Sequence, residues 1–207
     1  KDADGTISTA KLTITVNSPS DIITEVTDST IILTNPLASL KPTNVVVSIT
    51  DKDEGEHYLK AINKTEKLNI GDNISGTYGD FVVTKSSKEA QLNDTYTYTF
   101  EYTPNKENTV IKALNKGLDL TIYDHLDVHS YDGMTANSYA PLSVAINGKV
   151  KPATFTNQTT ANDDIYQKDD VSDSTINTLA GNDVVVINSA KNATISLGEG
   201  NDYFYAK

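Results

Sequence analysis

Polar and apolar residues alternate strictly in several short runs along this chain. Lys11-Leu12-Thr13-Ile14-Thr15-Val16 is one such run, and Thr95-Tyr96-Thr97-Tyr98-Thr99-Phe100-Glu101-Tyr102 is another. A period of two sends successive side chains to opposite faces, so each run predicts a half-buried antiparallel strand. Residues 44–49, 80–84 and 142–146 read as strands too, the last ended by the turn dipeptide Asn147-Gly148. The best helical segment is a turn or two over 110–115, closed by Gly117, with a weaker second one near 58–62. Short strands separated by turn residues predict an all-β chain built around a β-sandwich. In the second run Tyr96, Tyr98, Phe100 and Tyr102 share one face. That face is expected to pack into a core rather than to stack on sugars.

Three segments follow. Residues 1–20 hold one good strand and end in Asn17-Ser18-Pro19-Ser20, a linker-like stretch. One strand is not a domain. It is expected either to close a preceding domain or to pair with 151–207, which would make a split domain interrupted by 21–150. Residues 21–150 carry the sandwich pattern. Residues 151–207 turn rich in Thr, Asn, Asp and Gly, and a repeat emerges: Ala161-Asn162-Asp163-Asp164-Ile165-Tyr166, Gly181-Asn182-Asp183-Val184-Val185-Val186 and Gly200-Asn201-Asp202-Tyr203-Phe204-Tyr205. The offsets are 20 and 19 residues. Thr175-Ile176 and Thr194-Ile195 repeat 19 apart as well, and Thr154-Phe155 precedes the first copy. Such a period predicts coils of a parallel β-helix or β-roll, stacked one on the next.

Charge changes the picture. The 207 residues carry 17 Lys, no Arg, 28 Asp and Glu and no Cys, a net charge of −11 with His neutral. That balance argues against nucleic acid and anionic membrane as partners. Absent Cys removes disulfides, thiolate metal sites and Cys nucleophiles. No apolar run reaches the length of a membrane span. The chain starts without a signal-like segment and reads as an excised piece of something longer. The carboxylates cluster: four in 51–56, four in 119–132, six in 163–183 and two in 199–202. Clusters beside Gly and Asn are what a hard cation such as Ca²⁺ requires.

Three candidate sites come from those clusters. In the repeat, Leu197-Gly198-Glu199-Gly200-Asn201-Asp202-Tyr203-Phe204-Tyr205 matches the nonapeptide G-G-x-G-x-D-x-U-x of calcium-binding RTX proteins at every fixed position but the first. The earlier copies decay, the middle one keeping Gly181, Asp183 and Val185. Calcium is therefore expected at Asp183 and Asp202, with Gly181 and Gly200 making the turns, and less firmly at Asp163 or Asp164. The second site is Asp51-Lys52-Asp53-Glu54-Gly55-Glu56, where Asp51, Asp53 and Glu56 resemble half of a calcium loop. Ile62 at the twelfth position excludes an EF-hand. The third is 124–133. As a loop it would let Asp124, Asp127 and Asp132 hold an ion or a ligand. As a strand it would put His125, Asp127 and His129 on one face, with transition-metal chemistry as the alternative, and its plainest reading is a polar connection. His57, His125 and His129 are the only imidazoles, and neither a nucleophile elbow nor H-E-x-x-H occurs, so no catalysis is expected.

Taken in order, three stretches resemble the VCBS-type and related Ig-like repeats of bacterial adhesins. These are the segment 48–56, then Gly76-Thr77-Tyr78-Gly79-Asp80-Phe81, then Thr95-Tyr96-Thr97-Tyr98. The helical turn 110–117 and the strand 141–148 fit the same pattern, and residues 4–16 resemble its closing hairpin. Residues 161–205 resemble a degenerate RTX segment. The resemblance implies a piece of a large, type I-secreted RTX adhesin at the bacterial cell surface. Its implied cofactor is Ca²⁺. Its implied partners are neighbouring domains of the same long chain and a peptide or glycan on a host cell or surface. The alternative it leaves is a passive extender or surface-layer module.

Overall fold

The computed structural model describes residues 22–33, 40–50, 58–62, 64–89, 95–131, 136–148 and 157–206. The chain is all-β, with several sheets and one short helix among the described residues. Strands β1 (Ile22–Thr27), β2 (Ser29–Ile32), β3 (Thr43–Thr50), β4 (Tyr58–Ala61), β5 (Asn73–Ser75), β6 (Gly79–Glu89) and β7 (Thr95–Pro104) lead to helix α1 (Thr109–Lys116). Long strands β8 (Thr121–Tyr131) and β9 (Ala136–Asn147) follow. One sheet has the order β1-β3-β7-β6-β5 and is antiparallel throughout. The other has the order β2-β9-β8-β4, with only the β2–β9 pair parallel. The chain crosses from the first sheet to the second at Asp28, between β1 and β2.

The alternating runs explain the core. Val45, Val47 and Ile49 of β3, Phe81 and Val83 of β6, and Tyr98, Phe100 and Tyr102 of β7 point inward. They meet Leu126 and Val128 of β8 and Leu142, Val144 and Ile146 of β9 in one buried cluster. The aromatic face of β7 is thus a core face, as expected. The helix starts where the Asn108 side chain accepts the Val110 and Ile111 amides. It ends at Gly117, whose N–H returns to the carbonyls of Ala113 and Leu114. Val110, Ile111, Ala113 and Leu114 bury its apolar stripe. The segment near 58–62, weakly helical in sequence, is instead strand β4. Leu59 and Ala61 face inward at period two, and its pairing with β8 outweighs local propensity.

The C-terminal strands are parallel. Strands β10 (Ile165–Ser172), β12 (Val184–Lys191) and β14 (Tyr203–Ala206) form one sheet, and β11 (Thr175–Asn177) and β13 (Thr194–Ser196) form another. Ile165 pairs with Val184, and Val184 with Tyr203, so the register is 19 residues at both steps. The sequence offset of 20 for the first copy is corrected: Asp164, not Asp163, stands in register with Asp183 and Asp202. Asp163 aligns with Asn182 and Asn201. The mirrored Thr175–Thr194 pairing keeps the same step.

This sheet is buried on both faces. Tyr166, Val185 and Ile187 face the coil interior with Val171 and Ile176. Val184 and Val186 join the core of the two large sheets, and Ile165, Tyr203 and Tyr205 pack against it. Residue 150 therefore marks a change of architecture but not a break in the core. Residues 1–20 and their proposed pairing lie outside the described residues, as do 151–156. We expect Val186→Ala to cost about 2 kcal/mol. Thermal unfolding followed by circular dichroism should remain a single transition at a lower midpoint. Two separate transitions would contradict a shared core.

Candidate metal centre and ligand face

The 19-residue register builds a column of turns. Residues in the left-handed region recur at the same step: Asp173 with Asn192, Leu179 with Gly198, and Gly181 with Gly200. Gly200 has φ +140°, and a Cβ there would lie 1.7 Å from the Gly181 carbonyl oxygen, so no side chain fits between these coils. Side chains cross the same gap. The Asp163 carboxylate accepts the Asn182 N–H (2.8 Å), and the Asn182 side chain accepts the Asn201 N–H (3.0 Å). In the neighbouring column the Asp183 carboxylate accepts the Asp164 N–H (2.8 Å), and the Asp202 carboxylate accepts the Asp183 N–H (3.0 Å). On the opposite edge the Asn188 and Asn192 side chains donate to Asp169 and Asp173. Sequence reasoning found no motif on that edge; an Asx at the same register was the signal to follow.

Asp183 differs from its neighbours. Coils on both sides cover it, and it is fully buried. Its Oδ1 takes the Asp164 amide, while its Oδ2 is buried with no hydrogen-bond partner. Asp163 is exposed and Asp164 and Asp202 are half-buried. Asp163 and Asp164 also line a small crevice with Lys112 and Lys116 of α1, so cations lie nearby. Asp164 further accepts the amide and hydroxyl of Thr160. No three His, Asp or Glu side chains converge on one point among the described residues. A Ca²⁺ site does not need three, because backbone carbonyls and water complete its oxygen shell. A buried carboxylate oxygen at a carbonyl-rich turn suits that donor set. Asp183 with its turn's backbone is where the residues fit the ion.

The 124–133 candidate divides differently. Residues 121–131 form β8, so Asp124 and Asp127, three apart, point to opposite faces. The loop arrangement of Asp124 and Asp127 is therefore not formed. Asp132 lies outside the described residues, as do Asp51, Asp53 and Glu56. Asp124 is 1% exposed, and its carboxylate accepts the N–H groups of Thr77 (2.7 Å) and Tyr78 (2.8 Å) and the Tyr102 hydroxyl (2.8 Å). It is a tie between sheets, not a ligand-facing group. Gly76 is required beside it, since a Cβ there would meet the Asp124 carboxylate at 2.5 Å. Burial, then the bond to Asp124, pushes the Tyr102 hydroxyl well above its ordinary range. Burial and a hydrogen bond with Tyr203 do the same for Tyr78. The Gly-Thr-Tyr-Gly turn is thereby joined to the coil as well as to β8.

The outer face of β8 carries His125, Asp127 and His129, as the strand reading required, but they do not assemble a three-ligand metal group. Asp127 accepts the Tyr139 hydroxyl (2.7 Å), which raises that tyrosine's pKa, and His125 stacks on Tyr123. No family model, curated protein or solved structure matches this chain.

Two outcomes test the Asp124 tie. Asp124→Ala strands two amides and a hydroxyl, and should cost about 3 kcal/mol or more in urea unfolding. An effect under about 1 kcal/mol would contradict the tie. Tyr102 and Tyr78 stay protonated in the folded chain beyond the pH where an unfolded tyrosine ionises, about 10. Their contribution is therefore complete below pH ~10 and lost as pH rises past it. Urea unfolding at stepped alkaline pH should show stability falling there, with a shallower fall in Tyr102→Phe. Equal slopes in the two proteins would count against this reading.

Proposed function

We propose that this chain is a calcium-stabilised, non-catalytic module of a bacterial surface adhesin. In this reading the two large sheets are an Ig-like, VCBS-type sandwich, the coils are a degenerate RTX segment, and the protein works outside the cell in attachment. The observation that carries the proposal is the buried, unpartnered Oδ2 of Asp183 at a turn repeated every 19 residues. An uncompensated buried carboxylate costs several kcal/mol. A divalent cation removes that cost and uses Asp183 with the backbone oxygens of its turn, while Asp164 and Asp202 stand one coil away on either side. The net charge of −11 is then partly neutralised by bound ions, which also supply the cross-links that a Cys-free chain lacks.

The ion acts by binding the folded state alone. At a hundred times its Kd it adds about 2.7 kcal/mol. Because Val184 and Val186 share the main core, rigidity gained in the coils passes to the sheets. A second reading, a passive extender without its own ligand, is favoured by the inward orientation of Asp124, which leaves the carboxylate ligand site of 124–132 incomplete.

Thermal melts in millimolar calcium and in EGTA test the calcium reading. We expect a higher midpoint with calcium, and most of that rise lost in Asp183→Asn. An identical midpoint in the two buffers would overturn the proposal.

A further inference from the structure

Strand β4 is the edge of its sheet, and beside it lies a concavity of about 370 Å³. Small-ligand sites have volumes of about 300–1,000 Å³. Its walls are Tyr58, Lys60, Thr65, Glu66, Lys67 and Asn69. The charge here runs against that of the chain. Two lysines line the hollow, Lys64 belongs to the same loop, and Glu66 is the one carboxylate in the wall. Aromatic rings adjoin it. Tyr58 and Tyr131 pair across β4 and β8 with centroids 5.3 Å apart. The Lys60 ammonium sits 4.0 Å from the Tyr131 ring centroid and 5.6 Å from that of Tyr58. This cation–π contact fixes the charge at the lip of the hollow while its N–H groups stay able to donate. In register beyond Lys60 come His129 and then Tyr139, which is 57% exposed.

We propose that this hollow and the adjoining outer face of β4 and β8 bind an acidic polysaccharide, a pyranose chain bearing carboxylate or sulfate groups. The inference rests on the reading of the chain as an attachment module and gives that module a ligand class. A pyranose presents a flat C–H face to Tyr58 and Tyr131. Its anionic group meets Lys60 and Lys67. Its hydroxyls find Thr65, Glu66 and Asn69, and further along the chain His129 and Tyr139. A neutral glycan leaves the lysines without a counter-charge. With four residues, β4 is short for recognition of a peptide by strand addition.

The test uses the full chain in millimolar calcium, against immobilised hyaluronate, dextran sulfate and uncharged dextran. We expect one or both acidic polymers to bind at least about tenfold more tightly than dextran. Lys60→Gln, Lys67→Gln and Tyr131→Leu should each weaken that binding about tenfold with circular dichroism unchanged. Hyaluronate alone assigns carboxylate recognition, and dextran sulfate alone assigns sulfate; either supports the site. Three results overturn it: binding to no polymer, equal binding to dextran, and acidic binding untouched by the lysine variants. Binding that falls with the lysines but survives Tyr131→Leu also overturns the sugar reading, because charge alone then explains it. Failure here with an intact calcium-dependent rise in melting midpoint leaves the calcium reading standing. Polysaccharide binding without any calcium response overturns that reading instead.

Discussion

A charge taken out of water must be compensated, and two carboxylates inside this protein meet that demand in different ways. Asp124 is satisfied by the chain itself. Two amides and a tyrosine hydroxyl converge on it, pulling the turn at 76–79 onto β8 and β7. Asp183 is satisfied on one oxygen only. The first fixes how the sheets close on each other. The second leaves a demand at the centre of the coil stack that a hard cation fills.

The 19-residue step makes the second arrangement possible. Because β10, β12 and β14 are parallel and in strict register, one turn lies over the next, and every Asx in the turn reaches an amide or side chain of an adjacent coil. The middle coil is covered on both sides, which is why Asp183 is buried while Asp164 and Asp202 are not. The strand after that turn has apolar residues on both faces: Val184 and Val186 toward the sheets, Val185 and Ile187 toward the coil. A coil disordered for want of an ion would therefore uncover part of the main core.

Much of this was legible from residue order. Alternation over 95–102 foretold both the strand and its buried aromatic face. Asn108, the apolar stripe of 110–114 and Gly117 foretold the helix. The repeat foretold parallel coils. What escaped was set by pairing rather than by pattern. Asp163 and Asp164 are adjacent carboxylates, and only the pairing of Ile165 with Val184 decides which joins the Asp183 column. Asp124 looked like one of a cluster, but strand parity sends it inward while Asp127 stays out. Lys60, Lys64 and Lys67 drew no notice because clustered carboxylates dominated the charge reading. Their meeting with Tyr58 and Tyr131 depends on β4 being a strand beside β8.

The central claim is that a cation completes the Asp183 carboxylate. Isothermal titration of calcium into chelator-treated protein tests it most directly, comparing the native chain with Asp183→Asn and with Asp124→Asn. The account predicts saturable binding to the native chain, the same binding in Asp124→Asn, and one ion fewer in Asp183→Asn. Equal stoichiometry and heat in the native chain and Asp183→Asn would contradict it.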